Sequence, residues 1–470
     1  MWEPFRTYEQ ALEFLFGRIN YERVEPGSYS RREFKLDRMR RLLARLGDPH
    51  LRIPAVHIAG TKGKGSTAAM TAAMLTAAGR RVGLFTSPHL TAFEERMTVD
   101  GRMPGRETFI ELVNEVRPVA VGLEAESPRR APTYFETAAA LAWLYFVRER
   151  VELAVLEVGL GGRLDATNLC RPEVTIITSI SRDHTALLGE TLAEIAAEKA
   201  GIIKRGVPVV SGVAQPEPDA VIERIALGRR APLYRLGREI HALHHDDTPR
   251  GGVADIETPW SQWPAVAVPL PGEHQARNAA LALTAVELLS QRGWPVPREA
   301  AAAGLERLTW PIRVESLCER PVVVVDAAHN DGSVEALLAT LRRRYGRRRA
   351  LLVFATSRDK DARGMLARLA PEFEAIVLTR YLGNPRAVPV EQLAQIAREA
   401  ADRPATCAAT PAEAWSQARQ WAGPEDLICA TGSFFLAAEM RELIIGGPAN
   451  RVLRRAAGVS PLITREEPAG

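Results

Sequence analysis

The chain has 470 residues, of which 46% are hydrophobic and 25% charged; these proportions fit a globular protein that buries its cores without staples and divides into two or three units. The net charge of +4 is small, and acidic and basic residues interleave, so a nucleic-acid partner is not expected; the densest basic stretch, Arg342 to Arg349, reads as a solvated helix end and loop. Four scattered cysteines without a C-x-x-C pair, no basic-then-apolar leader, and a longest apolar run (residues 138–147) shorter than the ~20 residues a bilayer demands argue against a disulfide framework, secretion and a membrane span, and for a cytoplasmic enzyme.

In chain order, residues 55–59 (Ala-Val-His-Ile-Ala) read as a buried strand followed by a glycine loop, and 66–78 as an Ala- and Met-rich helix stopped by Gly79. Strands are expected at 82–86, 153–158, 174–180 and 207–210, with helices between them, which implies parallel pairing. Thr191 and Glu194 form a capping-box pattern opening a helix that Gly201 ends. His241, His244 and His245 fall in what reads as a polar, solvated loop with Asp246 and Asp247. Prolines flank a short helix between Trp294 and Pro311, and beyond it the alternation restarts with strands at 322–325, 351–354, 376–378 and 427–430. The expected fold class is therefore α/β: a P-loop-type parallel-sheet ATPase domain with its N-terminal segment over 1–296, a linker at 297–312, a smaller Rossmann-like α/β domain over 313–446, and a loose tail at 447–470.

The segment Gly60-Thr61-Lys62-Gly63-Lys64-Gly65-Ser66-Thr67 sits between strand and helix. Glycines allow a tight turn and close approach to an anion, and a helix N-terminus offers free N–H groups at a positive dipole end. Lys64 can reach terminal phosphates, and Ser66 or Thr67 can meet magnesium. The usual G-x-x-x-x-G-K-[ST] pattern is not met: Ile58 replaces the first glycine and Gly65 separates Lys64 from Ser66. Phosphate binding is still the stronger reading over a structural turn.

Several further motifs accompany this loop: Ser87-Pro88-His89-Leu90, Glu157-Val158-Gly159-Leu160-Gly161-Gly162-Arg163-Leu164-Asp165, Asp183-His184-Thr185, Glu198-Lys199-Ala200-Gly201, His274-Gln275-Ala276-Arg277-Asn278, Trp310-Pro311-Ile312-Arg313, Asp326-Ala327-Ala328-His329-Asn330 and Thr431-Gly432-Ser433. In this combination, spread from about residue 34 to 436, the chain resembles the folylpolyglutamate synthase and dihydrofolate synthase family within the wider Mur ligase group. Two positions depart from the family's usual pattern: Lys62 stands where Asn is usual and Ile312 where Gly is usual.

The resemblance implies an ATP-dependent amide ligase that adds L-glutamate to a tetrahydrofolate (poly)glutamate through an acyl phosphate, releasing ADP and phosphate, with dihydropteroate left open as a second substrate. Such chemistry rests on positioning and electrostatics. By motif match, Thr61, Lys62, Gly63, Lys64, Gly65, Ser66, Asn278, Arg313 and Asp326 would bind ATP. Ser66, Ser87, Glu157, His184 and Lys199 would hold magnesium at two sites. Lys64, Lys199 and His329 would be catalytic, Gly162, Arg163, Leu164 and Asp165 would form the folate pocket, and Ser433 would bind glutamate. Lys199 falls on the apolar stripe Leu192, Ile195, Ala196, Lys199. A buried lysine loses proton affinity, and the matching family lysine is carbamylated. The expected partners are these small molecules alone, with no membrane and a monomeric chain, and closure of two domains would complete the site. Two rivals are weighed: a cell-wall Mur-type ligase, against which the Gly159–Asn168 and Glu198–Ile202 segments speak, and a non-catalytic nucleotide-binding switch.

Overall fold

A computed structural model of the chain describes residues 3–23, 35–248, 251–400 and 405–446; the segment 447–470, read above as a tail, lies outside them. The chain forms two compact units, the first taking in most of the sequence to Leu308 and the second running from Thr309 onward.

The first unit holds strands β1 (Pro54–Ala59), β2 (Val82–Phe85), β3 (Met97–Val99), β4 (Leu153–Glu157), β5 (Arg171–Ile177), β6 (Val209–Ser211), β7 (Leu233–Arg235), β8 (His241–Thr248), β9 (Gly251–Glu257) and β10 (Gln262–Val268). Seven of them form one sheet in the order β3-β2-β4-β1-β5-β6-β7, parallel except for the β2–β3 edge pair. The central strands are apolar on both faces, as a sheet covered by helices on both sides requires. The helix Tyr134–Arg148, which contains the longest apolar run, packs in a core of Phe85, Phe93, Phe109, Trp143 and Phe146. Among the described residues no helix is long and apolar enough to cross a membrane.

The second unit holds β11 (Glu315–Glu319), β12 (Val322–Val325), β13 (Ala350–Phe354), β14 (Ala375–Leu378), β15 (Ala405–Cys407) and β16 (Leu427–Thr431). Their order is β11-β12-β16-β13-β14-β15, parallel apart from the β11–β12 hairpin pair.

Sequence and structure part ways at β8 to β10. The histidine-rich stretch expected as a solvated loop is strand: His241–Thr248 joins a three-stranded sheet with β9 and β10. Its polar residues alternate with apolar ones only weakly, so composition masked the period-2 pattern. His245 pairs with Asp255 of β9 at 2.8 Å, a cross-strand contact rather than a metal site.

Candidate active site

The phosphate loop follows β1, and the helix Lys64–Ala77 follows the loop. Gly60 has φ +154° and Gly63 φ +82°. An added Cβ at Gly63 would lie 2.4 Å from Oδ1 of Asn278, so that asparagine packs against the loop from the helix Glu273–Gln291. At Gly60 the added carbon would meet Thr178 Oγ1 at 1.9 Å. Gly60→Ala is therefore expected to lower stability by about 2 kcal/mol or more and to abolish tight nucleotide binding; a thermal midpoint and an ATP titration would read both, and a variant binding ATP normally would refute the tight packing.

The loop's floor is the hydroxyl-rich end of β5. Thr61 N–H donates to Ser179 O (2.8 Å), Lys62 N–H to Ser179 Oγ (2.9 Å), and Ser179 Oγ and Thr178 Oγ1 donate to Lys62 O. Thr61 Oγ1 donates to Ser181 O at 3.2 Å. The backbone N–H groups of Thr61 and Lys62 thus serve the loop itself. The donors left at the helix start belong to Gly63, Lys64, Gly65 and Ser66. The Lys62 ammonium is directed at Asp183 (3.2 Å). The stretch Thr178-Ser179-Ile180-Ser181 was the available sequence signal for this floor.

Glu157 is the last residue of β4 and is 5% exposed. Its Oε1 lies 3.9 Å from Lys64 Nζ, and its Oε2 accepts the Ser87 N–H at 3.1 Å. Lys64, Ser87 and Glu157 therefore converge because β1, β4 and β2 are adjacent and end together at the carboxyl edge. His184, with φ +51°, starts a short helix beside Asp183, whose Oδ1 is 3.8 Å from its Nε2.

Lys199 lies buried in the last turn of the helix Leu192–Ala200, and its Nζ donates to Gly60 O at 2.9 Å. Burial, then the neighbouring Lys64, lowers its pKa to about 7. The expected folate segment packs on this helix. An added Cβ at Gly162 would sit 2.9 Å from Lys199 O, Arg163 N–H donates to Glu198 O (2.8 Å) and its guanidinium pairs with Glu198 at 3.0 Å, and Leu164 is half-buried. Asp165 is buried, and its oxygens accept from Leu160 N–H (3.0 Å), Thr167 N–H (2.9 Å) and Thr167 Oγ1 (2.5 Å). Its carboxylate braces its own loop, and burial raises its pKa.

Among the described residues no three His, Cys, Asp or Glu side chains converge on one point. A magnesium ion at the loop would rest on a mixed set: the Glu157 carboxylate, the Ser66 and Ser87 hydroxyls, water and phosphate. That hard-oxygen set fits the ion. In the same helix turn, Thr67 Oγ1 is buried with no hydrogen-bond partner among the described residues.

In the second unit, Asp326 follows β12. Its carboxylate accepts Val314 N–H (2.8 Å) and Ala328 N–H (2.7 Å), and burial raises its pKa. Arg313 Nη1 donates to Ile312 O at 3.0 Å. Ile312 and Val314 flank Arg313 with φ of +53° and +48°, a left-handed backbone that β-branched residues rarely adopt and that glycine would enter without strain. His329 Nδ1–H donates to Ala327 O (2.8 Å), and Ser433 Oγ accepts Phe435 N–H (3.2 Å). His329 and Ser433 thus stand at the carboxyl ends of the neighbouring strands β12 and β16.

A phosphate loop on a parallel sheet, a carboxylate at the next strand end and a following Rossmann-like unit define a Mur-type ligase. The family model "Mur ligase middle domain" matches residues 58–286 and "Mur ligase, glutamate ligase domain" matches 312–434. The dihydrofolate synthase/folylpolyglutamate synthase of Bacillus subtilis is 36% identical over 440 residues, covering 93% of this chain and 99% of that protein. The enzyme of the same name from Escherichia coli is 33% identical over 416 residues, covering 87% and 91%. Among solved structures, Mycobacterium tuberculosis folylpolyglutamate synthase complexed with ADP and AMPPCP has a TM-score of 0.85 at 34% identity, covering 93% of this chain and 98% of that one. The chain belongs to the folylpolyglutamate synthase/dihydrofolate synthase family.

Proposed function

We infer that this chain is an ATP-dependent ligase that joins L-glutamate to the γ-carboxylate of a tetrahydrofolate (poly)glutamate, and to dihydropteroate as well. The observation that carries the reading is the convergence of Lys64, Glu157 and Lys199 on the loop Gly60–Gly63. The acid's carboxylate oxygen attacks the γ-phosphorus of ATP and ADP leaves. The glutamate nitrogen then attacks the acyl carbon, the C–O bond to phosphate breaks, and the amine sheds its protons to solvent. Lys64 and the first-turn N–H groups neutralise phosphate charge, while Asn278 braces the loop against the nucleotide. Magnesium, held by Ser66, Ser87 and Glu157, with a second ion on Glu157, His184 and Lys199, would supply Lewis-acid neutralisation of phosphate oxygens. Gly162 to Asp165 border the folate, and Arg313, Asp326, His329 and Ser433 serve the nucleotide and glutamate from the second unit. We read the protein as a cytoplasmic monomer of two domains, 1–296 and 313–446, with a linker between them.

ADP release by purified protein with glutamate, offered tetrahydrofolate and dihydropteroate separately, tests the function. Turnover on both is expected; ATP hydrolysis that ignores both acids and glutamate would end the reading. The names of the relatives weigh against a cell-wall substrate and against a silent switch.

Lys199 is further proposed to carry a carbamate, formed when its neutral amine attacks carbon dioxide and loses a proton. With a pKa lowered to about 7, the neutral fraction is small at pH 6, near half at pH 7 and dominant at pH 8. Native mass spectra in bicarbonate should therefore show the added carbon dioxide rising in occupancy across that range. An unmodified Lys199 throughout would refute it.

A further inference from the structure

Arg96 has a fully buried guanidinium, 1% exposed, yet none of the roles above uses it. Two of its nitrogens donate to Glu22, at 2.8 and 2.6 Å, and its face lies 5.2 Å from the Tyr134 ring. Its Nε donates to Nδ1 of His89 at 2.8 Å. An arginine N–H can only donate, so His89 Nδ1 must offer a lone pair, and the ring proton belongs to Nε2. The ring also meets Phe93 edge-on, with centroids 6.1 Å apart, which fixes its plane. Nε2 finds no hydrogen-bond partner among the described residues and, on a half-buried side chain, is not sealed from solvent.

His89 stands two residues past Ser87, whose N–H binds Glu157, on the loop leaving the carboxyl end of β2. The donor is therefore held on the same loop as the Ser87–Glu157 contact. A tautomer fixed in this way has no lone pair at Nε2, so it cannot take a proton from the attacking amine; it can only donate a hydrogen bond.

We propose that His89 Nε2–H donates a hydrogen bond to a carbonyl or carboxylate oxygen of the acid substrate, and that the buried Arg96 is the positioning residue that holds the ring in this tautomer. The assignment rests on the proposed ligase reading, but its test does not require turnover. Asparagine reaches about as far as Nδ1 and keeps an acceptor for Arg96; glutamine reaches about as far as Nε2 and keeps the donor. Tetrahydrofolate and ATP binding would be titrated against wild type, His89→Asn and His89→Gln, alongside thermal midpoints. His89→Asn should keep the midpoint but weaken tetrahydrofolate binding about tenfold, leaving ATP binding within a factor of about two. His89→Gln should bind tetrahydrofolate nearly as wild type with a lowered midpoint, because Arg96 loses its acceptor. Asn and Gln variants that weaken folate binding equally, or a loss confined to ATP, would overturn the proposal. A wild type that binds tetrahydrofolate with these effects but never releases ADP would instead sink the ligase reading and leave this assignment standing.

Discussion

Replacing Lys64 with alanine should lower kcat/KM for ATP by roughly 10³-fold while leaving the fold intact. Its Nζ lies 3.9 Å from Glu157, whose carboxylate still accepts the Ser87 N–H when the lysine is gone, so the stability cost should stay modest beside the kinetic one. The transition state loses a preorganised cation at the developing phosphate charge, which explains the size of the kinetic effect. A second effect follows from geometry. Lys64 is the largest electrostatic contributor, after burial, holding Lys199 low. Without it the Lys199 pKa rises, the neutral fraction at pH 7 shrinks, and carbamate occupancy in native mass spectra should fall with it. Kinetics within tenfold of wild type, or unchanged occupancy, would each refute the corresponding half of this argument.

Within the seven-stranded sheet, β1, β2 and β4 fall within a residue or two of where short apolar runs closed by glycine or polar stops place them, β5 and β6 overlap the expected 174–180 and 207–210, and the three-residue strands β3 and β7 were too short to be read from the sequence. The three-stranded β8–β10 sheet was not legible, since His241 to Asp247 carries too much polarity for periodicity to outweigh composition. The helix bearing Lys199 was readable down to its cap: Thr191 Oγ1 accepts Glu194 N–H at 3.2 Å as the pattern predicts. Motif spacing placed Lys64, Ser87 and Glu157 near one another because each lies at or in the loop just past the carboxyl end of a strand, and parallel neighbours share an edge. What spacing could not give is which polar groups are already occupied. Asp165 and Asp326 look identical to ligand-binding acids in sequence, yet both carboxylates already accept backbone N–H groups from their own surroundings. Arg96 and Glu22 likewise gave no local signal, because their partners are distant in sequence.

The Arg96–Glu22 pair should respond asymmetrically to mutation, and burial decides the direction. Arg96 is 1% exposed at its side chain, whereas Glu22 is 32% exposed. Glu22→Ala leaves a guanidinium sealed from water with its principal anion gone, a change that costs about 3–5 kcal/mol in buried pairs. The remaining His89 contact and Tyr134 face offset only part of that. Arg96→Met removes the charge itself and fills much of its volume with a flexible apolar side chain. Glu22 then sits where water already reaches it and can be rehydrated, so the cost should stay at about 1–2 kcal/mol. The double variant should resemble Arg96→Met alone, since Glu22 matters mainly through the cation it covers. Urea unfolding of all four proteins gives the cycle directly. Equal losses for the two single variants, or a larger loss for Arg96→Met, would mean that Glu22 is held by other contacts and that the buried cation is not what ties it to the β2 loop.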